Sequence, residues 1–189
     1  ELGMTNAHFT SLDSYRDIES LNWAVDARSR GVPDEQVLRS LAVKSRDNAR
    51  TPVQWDDSPH AGFTTGTPWI AVNPNHTTIN AAAAAADPES VFHHYRRLIE
   101  LRHTHPVVVQ GDFRLLLPDD EQVFGYVRTL GASRLLVLAN LSGAPASIDL
   151  GDDAPLLAGR LLIATHPTDG GIAGPVTLRP WESRVHLVD

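Results

Sequence analysis

The chain has 189 residues, a formal net charge of −7 and no cysteine. This length suffices for one domain or two small ones with a buried core. The acidic balance argues against a nucleic-acid partner, because phosphate binding needs a basic surface. The absence of cysteine excludes disulfides, thiol catalysis and cysteine-ligated zinc. No apolar run approaches the roughly 18 residues of a membrane span, so the sequence predicts no membrane partner either.

The beginning of the chain lacks the features of a translation start. Glu1 is the first residue, the single methionine is Met4, and no signal-peptide pattern follows. We therefore expect the chain to be a fragment or a processed piece of a longer protein, with the residues that say most about function lying upstream.

Two helices are predicted before residue 44. Residues 14–29 carry a weak helical pattern of apolar side chains, which Asp13 or Ser14 could cap. Gly31 and the residues after it break this pattern. A second helix is expected to begin at Pro33, since acids occupy its first turn. The apolar face of the second helix consists of Val37, Leu38, Leu41 and Ala42.

Residues 44–69 have little hydrophobic periodicity. They include two arginines four residues apart, two tryptophans, a phenylalanine and many Thr, Gly and Pro residues. Ordinary connecting loops are about 4–6 residues long, and long ordered ones are usually functional. Disorder is not expected, because disordered segments contain few aromatic residues. The composition therefore favours a loop that forms one wall of a binding site.

The chain from this loop to residue 106 is predicted to be partly helical. The polyalanine tract at residues 81–86 favours a short helical segment. The clearest helix covers residues 88–103, with Asp87 as its expected N-cap and Pro88 at its first position. One face of this helix is apolar and should pack on a larger body; it consists of Val91, Phe92, Tyr95, Leu98, Ile99 and Arg102.

Short β-strands are expected from residue 107 onwards. The expected strands are 107–109, 113–117, 123–128, 135–140, 147–150, 160–164, 176–178 and 183–188. Turn-forming residues separate them, including an acidic turn at 119–121 and the Gly170-Gly171 pair, to which we assign chain reversal only. Strands at this spacing without intervening helices favour an antiparallel sandwich, with a boundary between the two halves near residues 107–111.

The segment from Ser45 to Trp55 reads SRDNARTPVQW. It resembles the SRDNARTPMQW signature of the oligo-1,6-glucosidase and α-glucosidase branch of the α-amylase superfamily (glycoside hydrolase family 13), and it departs from that signature only at Val53. Further matches cover essentially the whole chain. They are Glu1 to Met4, Ala61 to Thr64, Pro68 to Ile70, Val72 to Asn75, His94 with Tyr95 and Leu98, Pro106 with Gly111 and Asp112, Phe124 to Arg128, Leu138 to Gly143, and Leu178 to Glu182.

The resemblance implies an α+β fragment in two parts. Residues 1–108 would be the C-terminal end of a catalytic (β/α)₈ barrel, namely a long βα loop with its helices and the closing helix. Residues 109–189 would form an all-β antiparallel sandwich as the C-terminal domain. The loop at residues 44–69 would then lie at the carboxyl-terminal face of the barrel, where the active sites of such barrels are built.

The chemistry implied by the resemblance is the retaining hydrolysis of α-glucosidic bonds. It needs a carboxylate nucleophile and an acid/base carboxyl about 5–5.5 Å apart. The family's nucleophile, its acid/base and a third, transition-state-stabilising Asp lie on strands that precede Glu1. We therefore assign no catalytic residue and no cofactor to this chain. We assign no metal either, because side chains adjacent in sequence, such as those of His93 and His94, diverge on a helix.

Arg46 and Arg50 are the candidate substrate-binding residues. The resemblance implies that both reach the sugar pocket, and a guanidinium offers a planar fork of donors suited to sugar hydroxyls and carboxylates. Spacing alone favours structural ion pairs with Asp47, Asp56 or Asp57, and the match to the signature reverses that preference.

Other residues of the loop are expected to be structural. Asp47 should orient Arg46 or cap its turn. Trp55, Phe63 and Trp69 could stack on sugar rings, but aromatic side chains in long loops more often fix the loop to the body of the protein.

The sequence thus predicts part of a retaining α-glucosidase that hydrolyses terminal α-1,4 or α-1,6 bonds of small gluco-oligosaccharides. Its expected partners are such an oligosaccharide and the N-terminal remainder of the barrel, and its expected location is cytoplasmic. Alone, the chain should be inactive and should expose apolar surface around Val91, Phe92, Tyr95 and Leu98. Trehalose-6-phosphate hydrolase and sucrose isomerase are alternatives within the class, and a catalytically silent structural or glycan-contacting β module is the alternative outside it.

Overall fold

The computed structural model describes residues 1–168 and 175–189 of the chain, so the predicted turn at Gly170-Gly171 lies outside the described residues. The contacts divide the chain into two compact units, Glu1–Tyr95 and Arg96–Asp189. No helix in the described residues is long and apolar enough to cross a membrane.

Helices and short 3₁₀ turns form the described part of the first unit. Helix α1 spans Ile18–Ser29, α2 spans Asp34–Lys44, and α3 spans Ala81–Ala86. The 3₁₀ turns are Leu12–Ser14, Arg46–Ala49, Pro59–Gly62 and Pro74–Thr77. The two early helices and the short polyalanine helix are therefore confirmed.

Helix α1 begins later than its sequence pattern indicates. Asp17 is its N-cap, and the Asp17 carboxylate accepts a hydrogen bond from Ser20 N at 3.1 Å. The expected caps, Asp13 and Ser14, lie instead in the preceding 3₁₀ turn, whose cap is Ser11. The expectation was wrong because the weak apolar pattern extends across both elements and does not mark the break between them.

Helices α1 and α2 form a helical hairpin. Its buried core contains Ala24 and Ala27 of α1, Val37 and Leu41 of α2, and Tyr15. The start of α1 meets the end of α2, where Ser20 Oγ and Ser45 Oγ lie 2.9 Å apart. The two helices are therefore antiparallel, and the hairpin places the first residues of the long loop beside the N-terminus of α1.

The carboxylate of Asp47 holds these two segments together. Asp47 is completely buried, and its Oδ2 accepts hydrogen bonds from Arg16 N at 2.6 Å and from Asp17 N at 2.9 Å. Hydrogen bonds to an ionised acceptor are stronger than neutral ones. Asp47 was expected to orient Arg46 or to cap its own turn; instead Ser45 caps that turn, and Asp47 binds the backbone that leads into α1.

Two further helices precede the strands. Helix α4 spans Val91–Thr104 and α5 spans Pro106–Gln110. The expected N-cap at Asp87 and first position at Pro88 are wrong, because the first of these helices begins at Val91. Ser90 Oγ accepts a hydrogen bond from His93 N at 3.4 Å, while Asp87 Oδ1 accepts one from Glu89 N ahead of the helix. The strand expected at residues 107–109 is wrong, because these valines lie in α5. Proline at the first helical position favours this short helix, and Val107 packs against Leu135 and Leu187.

The apolar face of α4 is exposed in this chain. The exposed fractions are 49% for Val91, 46% for Tyr95, 40% for Leu98 and 54% for Ile99, while Phe92 is half-buried. No residue of α4 is buried. The expected exposure is confirmed at Val91, Tyr95 and Leu98. This face was also expected to pack on a larger body, and the described residues do not form that body.

The strands of the second unit pair antiparallel. A five-stranded sheet has the order β1-β2-β3-β7-β5, and β4 pairs with β6. The bounds are β1 Asp112–Leu115, β2 Val123–Leu130, β3 Ser133–Asn140, β4 Ala146–Ile148, β5 Arg160–Ala164, β6 Val176–Leu178 and β7 Ser183–Val188. The expected antiparallel strands are thus confirmed, apart from the one at residues 107–109.

The core of the second unit lies between the two sheets. Alternation along β2 and β3 turns Val123, Val127, Leu136 and Leu138 to one side of the large sheet. The β4–β6 pair and a 3₁₀ segment at Gly151–Ala158 cover this side. The expected sandwich is therefore present.

Polar groups are also buried in this unit. Arg184 Nε donates to Glu182 Oε1 at 2.8 Å, and Glu182 is 1% exposed. His186 on β7 is 6% exposed, and its Nδ1 lies 3.3 Å from Gly159 O. Burial, assisted by the charge of Arg184, lowers the pKa of His186 despite the hydrogen bond to Gly159.

The lowered pKa of His186 predicts a pH-dependent stability. The folded state binds this proton less well than the unfolded chain, in which the pKa is about 6.5. The contribution is fully present above pH ~6.5 and is lost as the pH falls through the folded-state pKa. Urea unfolding between pH 7.5 and 5.5 should therefore show a declining free energy of unfolding. The His186→Gln variant should show a flatter profile, and equal slopes for the two proteins would contradict the assignment.

The buried Asp47 carboxylate predicts a large loss of stability on truncation. Asp47→Ala leaves the amides of Arg16 and Asp17 unpaired and should lower the free energy of unfolding by about 3 kcal/mol. Asp57→Ala, the same change at an exposed position of the same loop, is the matched control and should change it by less than about 0.5 kcal/mol. Urea titration of both variants measures the difference, and similar values for the two would show that Asp47 is not an anchor.

Candidate active-site loop

Arg50 is engaged in an ion pair at the base of the loop. Its Nη1 lies 2.9 Å from Asp17 Oδ1, and the Asp17 side chain is only 4% exposed. The hydrogen bond from Ser20 N is the main cause that lowers the pKa of Asp17. Burial opposes this effect, and Ser20 Oγ, Arg50 and Arg46 reinforce it. The sequence pattern indicated Asp47, Asp56 or Asp57 as ion-pair partners, so it identified the type of interaction but not the carboxylate.

Arg46 has a different environment. Its side chain is 64% exposed, and its Nη1 lies 4.0 Å from Glu19 Oε2, which belongs to a side chain that is 77% exposed. An exposed pair at this separation contributes little to stability. The guanidinium of Arg46 is therefore held near a carboxylate while its donors face solvent, where a ligand can reach them.

A cavity of about 320 Å³ surrounds this pair. Its volume lies at the lower end of the range of about 300–1,000 Å³ that is typical of small-molecule pockets. Both helices of the hairpin and the first residues of the loop contribute to it. The lining residues are Asp17, Glu19, Ser20, Trp23, Ser40, Leu41, Lys44, Ser45 and Arg46.

The sequence pattern did not identify the lining residues on the helices before the loop, among them Asp17, Glu19 and Trp23. An acid followed three residues later by Ser20 at the start of a helix is a capping signal that could have identified Asp17. Glu19 and Trp23 are four residues apart, so they share one face of α1. Nothing in the sequence pattern indicates that this face lies opposite the end of α2, because that arrangement depends on the hairpin.

The aromatic residues of the loop do not fix it to the described body. Trp55 is 54% exposed, Phe63 48% and Trp69 74%. Their expected structural role stays a prediction, since exposure within this chain does not test contacts with the remainder of the barrel. Gln54, which is completely buried, holds the loop instead through a hydrogen bond from its Nε2 to Asn75 Oδ1 at 3.0 Å.

The loop reverses direction through three left-handed residues. The φ angles are +55° at His60, +56° at Ala61 and +63° at Gly62. A Cβ at residue 62 would lie 2.7 Å from Asp56 Oδ2, so this position requires glycine. Hydrogen bonds from Ser58 lower the pKa of Asp56, which is therefore engaged within its own turn and not with either arginine.

The described residues offer no grouping of three or more His, Cys, Asp or Glu side chains that could hold a metal ion. The groups that line the cavity offer hydrogen bonds and charge, from the donors of Arg46 and Lys44 and the carboxylate of Glu19.

Known proteins resemble this chain over nearly its whole length. An oligo-1,6-glucosidase from Bacillus cereus is 46% identical over 186 residues, which are 98% of this chain and 33% of that protein. The crystal structure of trehalose-6-phosphate hydrolase from Bacillus licheniformis superposes with a TM-score of 0.92 at 40% identity, covering 100% of this chain and 34% of that one. The trehalulose synthase MutB from Pseudomonas mesoacidophila MX-45 gives a TM-score of 0.86 at 40% identity, with the same coverage. The chain thus spans about a third of the length of these relatives.

Two protein families match the chain in succession. Residues 1–111 match the α-amylase catalytic domain, and residues 123–185 match the C-terminal domain of the α-amylase SusG. The first match covers more than half of the chain and includes the loop with Arg46 and Arg50. The chain therefore belongs to the α-amylase superfamily (glycoside hydrolase family 13), in its oligo-1,6-glucosidase and α-glucosidase branch.

Proposed function

We propose that this chain is part of a retaining α-glucosidase that hydrolyses terminal α-1,6 and α-1,4 bonds of small gluco-oligosaccharides, and that Arg46 binds the sugar. The observation that carries the proposal is the position of Arg46. Its guanidinium lines a small cavity beside Glu19, without a close ion pair, on the loop that bears the family signature. The similarity to the oligo-1,6-glucosidase of Bacillus cereus supports the substrate class.

The two arginines then have separate roles. Arg46 and Glu19 together offer hydrogen-bond donors and an acceptor, which is what the hydroxyl groups of a sugar require. Arg50 was expected to contact substrate as well. Its short ion pair with the buried Asp17 supports an indirect role, in which Arg50 holds the loop against the start of α1. We keep Arg50 as a binding-site residue in this indirect sense.

The bond-breaking carboxylates are proposed to lie in the part of the protein that precedes this chain. Retaining hydrolysis needs two carboxyl groups about 5–5.5 Å apart on either side of the scissile bond. The acids of the cavity are engaged otherwise, since Asp17 caps α1 and binds Arg50, and Glu19 lies near Arg46. This chain would thus supply one wall of the pocket and the remainder of the barrel would supply the other.

The domain assignment remains a proposal of the same kind. We infer that residues 1–108 belong to the catalytic barrel and residues 109–189 to the C-terminal domain, and the successive family matches at 1–111 and 123–185 support this division. The exposed apolar face of α4 is a suitable surface for the N-terminal remainder of the barrel, which we propose as its partner. A cytoplasmic location is likewise proposed, and cell fractionation would test it.

The alternatives differ in what the cavity must bind. A trehalose-6-phosphate hydrolase must hold a phosphate, which Lys44 and Arg46 would attract and Glu19 would repel. Glu19 offsets only one of these two positive charges, so hydrolysis of trehalose 6-phosphate stays an alternative. The trehalulose synthase among the structural relatives leaves sucrose isomerisation as a further alternative, which product analysis with sucrose would distinguish.

A silent glycan-contacting module is the second candidate function. The second unit exposes Phe113 and Phe124, at 55% and 45%, and Tyr126 lies between them with ring centroids 5.2 and 5.4 Å from theirs. Adjacent exposed aromatic rings could contact a glycan. Retention of residues 109–189 on an insoluble α-glucan, abolished by Phe124→Ala, would favour this function over catalysis.

The role of Arg46 predicts a kinetic effect without a stability effect. In the protein with a complete barrel, Arg46→Ala should lower kcat/KM for an aryl α-glucoside about 100-fold, or about 2.7 kcal/mol, and leave urea unfolding unchanged because its ion pair is exposed. Arg39→Ala, which removes an equally exposed pair with Glu35 on α2, is the matched control. Arg50→Ala should lower both stability and activity. Wild-type kinetics for Arg46→Ala would refute its assignment to the sugar.

The upstream location of the carboxylates predicts that the 189-residue chain is inactive alone. Its hydrolysis of an aryl α-glucoside should not exceed the uncatalysed rate, and the chain extended upstream to the complete barrel should be active. A product-release assay on both proteins measures this. Turnover by the 189-residue chain itself would show that the catalytic groups lie within it.

A further inference from the structure

The cavity beside Arg46 extends further along the helical hairpin than the Arg46–Glu19 pair. Two rows of side chains line it. Glu19 and Trp23 are four residues apart on α1, and Ser40 and Lys44 are four residues apart on α2. Residues with this spacing lie on one face of a helix, one turn apart. The cavity is therefore a groove between two helices, with a pair of residues from each.

The antiparallel hairpin orders these residues along the groove. The contact between Ser20 and Ser45 closes the end at which α1 begins and α2 ends. Glu19, Lys44 and Arg46 lie at this end, whereas Trp23 and Ser40 lie one turn further along their helices. One helical turn advances about 5.4 Å, which is comparable to the length of one pyranose ring. This spacing along the groove would suit two sugars in succession.

Trp23 is not required for the core of the hairpin. The buried residues of α1 are Ser20, Ala24 and Ala27. Trp23 belongs neither to the buried cluster of the hairpin nor to the partly buried residues packed against it, and it is 38% exposed. A tryptophan on the wall of a groove offers a flat apolar surface and one hydrogen-bond donor. Such a surface fits the apolar face of a sugar ring.

The charged groups of the groove lie at its closed end, and the second position has none. Arg50 neutralises Asp17, and Glu19 opposes the positive charges of Arg46 and Lys44. The second position is lined by the indole of Trp23, the hydroxyl of Ser40 and the side chain of Leu41. A mixture of aromatic, apolar and hydroxyl groups matches an uncharged polyol better than an ion.

We propose that Trp23 forms a second sugar position in this groove, which receives the sugar next to the one bound by Arg46 and Glu19, and that Trp23 thereby sets the preference for substrate length. This inference rests on the proposed function of the chain. It assigns to Trp23 a role in specificity and not in bond cleavage.

Kinetics on substrates of two lengths test the proposal. In the protein with a complete barrel, Trp23→Ala should lower the ratio of kcat/KM for isomaltose to that for methyl α-glucoside about tenfold, which is the scale of one lost aromatic contact. Trp23→Phe should largely restore the ratio because it keeps a ring. Trp69→Ala, a tryptophan exposed outside the groove, should leave the ratio unchanged. An unchanged ratio in Trp23→Ala, or equal losses on both substrates, would overturn the proposal.

A binding measurement separates this proposal from the proposed function. The groove lies entirely within residues 17–46, so the 189-residue chain itself can be titrated with isomaltotriose while the indole N–H resonances are followed. The resonance that is absent from Trp23→Phe should shift, whereas the one absent from Trp69→Phe should not. If the 189-residue chain binds in this way but the protein with a complete barrel hydrolyses no α-glucoside, the proposed function is refuted and the sugar position is supported. The absence of any shift of the Trp23 resonance would overturn the sugar position.

Discussion

The arrangement of the first unit depends on one buried carboxylate. Asp47 is the second residue of the long loop's first turn, and it binds two backbone amides that lie 30 and 31 residues earlier in the chain. A buried carboxylate is tolerated only when hydrogen bonds replace its hydration, so the amides of Arg16 and Asp17 must lie where they do. This interaction joins the beginning of α1 to the end of α2, and it thereby forms the closed end of the groove.

The different environments of the two arginines follow from this anchor. Once the start of α1 is fixed, Asp17 is both the cap of the helix and the partner of Arg50, whereas Glu19 lies two residues further along and faces the cavity with Arg46. One arginine of the signature therefore stabilises the loop and the other remains exposed to a ligand. The same anchor sets the position of Trp23, because it determines where on the hairpin the first turn of α1 begins.

Much of the fold could be predicted from local signals. The strands β1 to β7 lie close to their expected positions, and the polyalanine tract is helical. The valines at residues 107–109 were assigned to a strand because their propensity is for β structure, but a proline at the first helical position and packing on Leu135 outweigh it. The candidate site was less accessible to prediction. The signature indicated Arg46 and Arg50. Asp17, Glu19 and Trp23 could not be identified without knowing that α1 and α2 form an antiparallel hairpin. The exposure of Trp55 and Trp69 also depends on tertiary contacts that composition does not reveal.

The central claim is that Arg46 faces the sugar and Arg50 does not. A crystal structure of the protein with a complete barrel, bound to a non-hydrolysable gluco-oligosaccharide, tests it most directly. We expect Arg46 to donate to a sugar hydroxyl at about 2.7–3.2 Å, with Arg50 still paired to Asp17. A bound sugar that contacts Arg50 while Arg46 points away from it would contradict the division of roles between the two arginines.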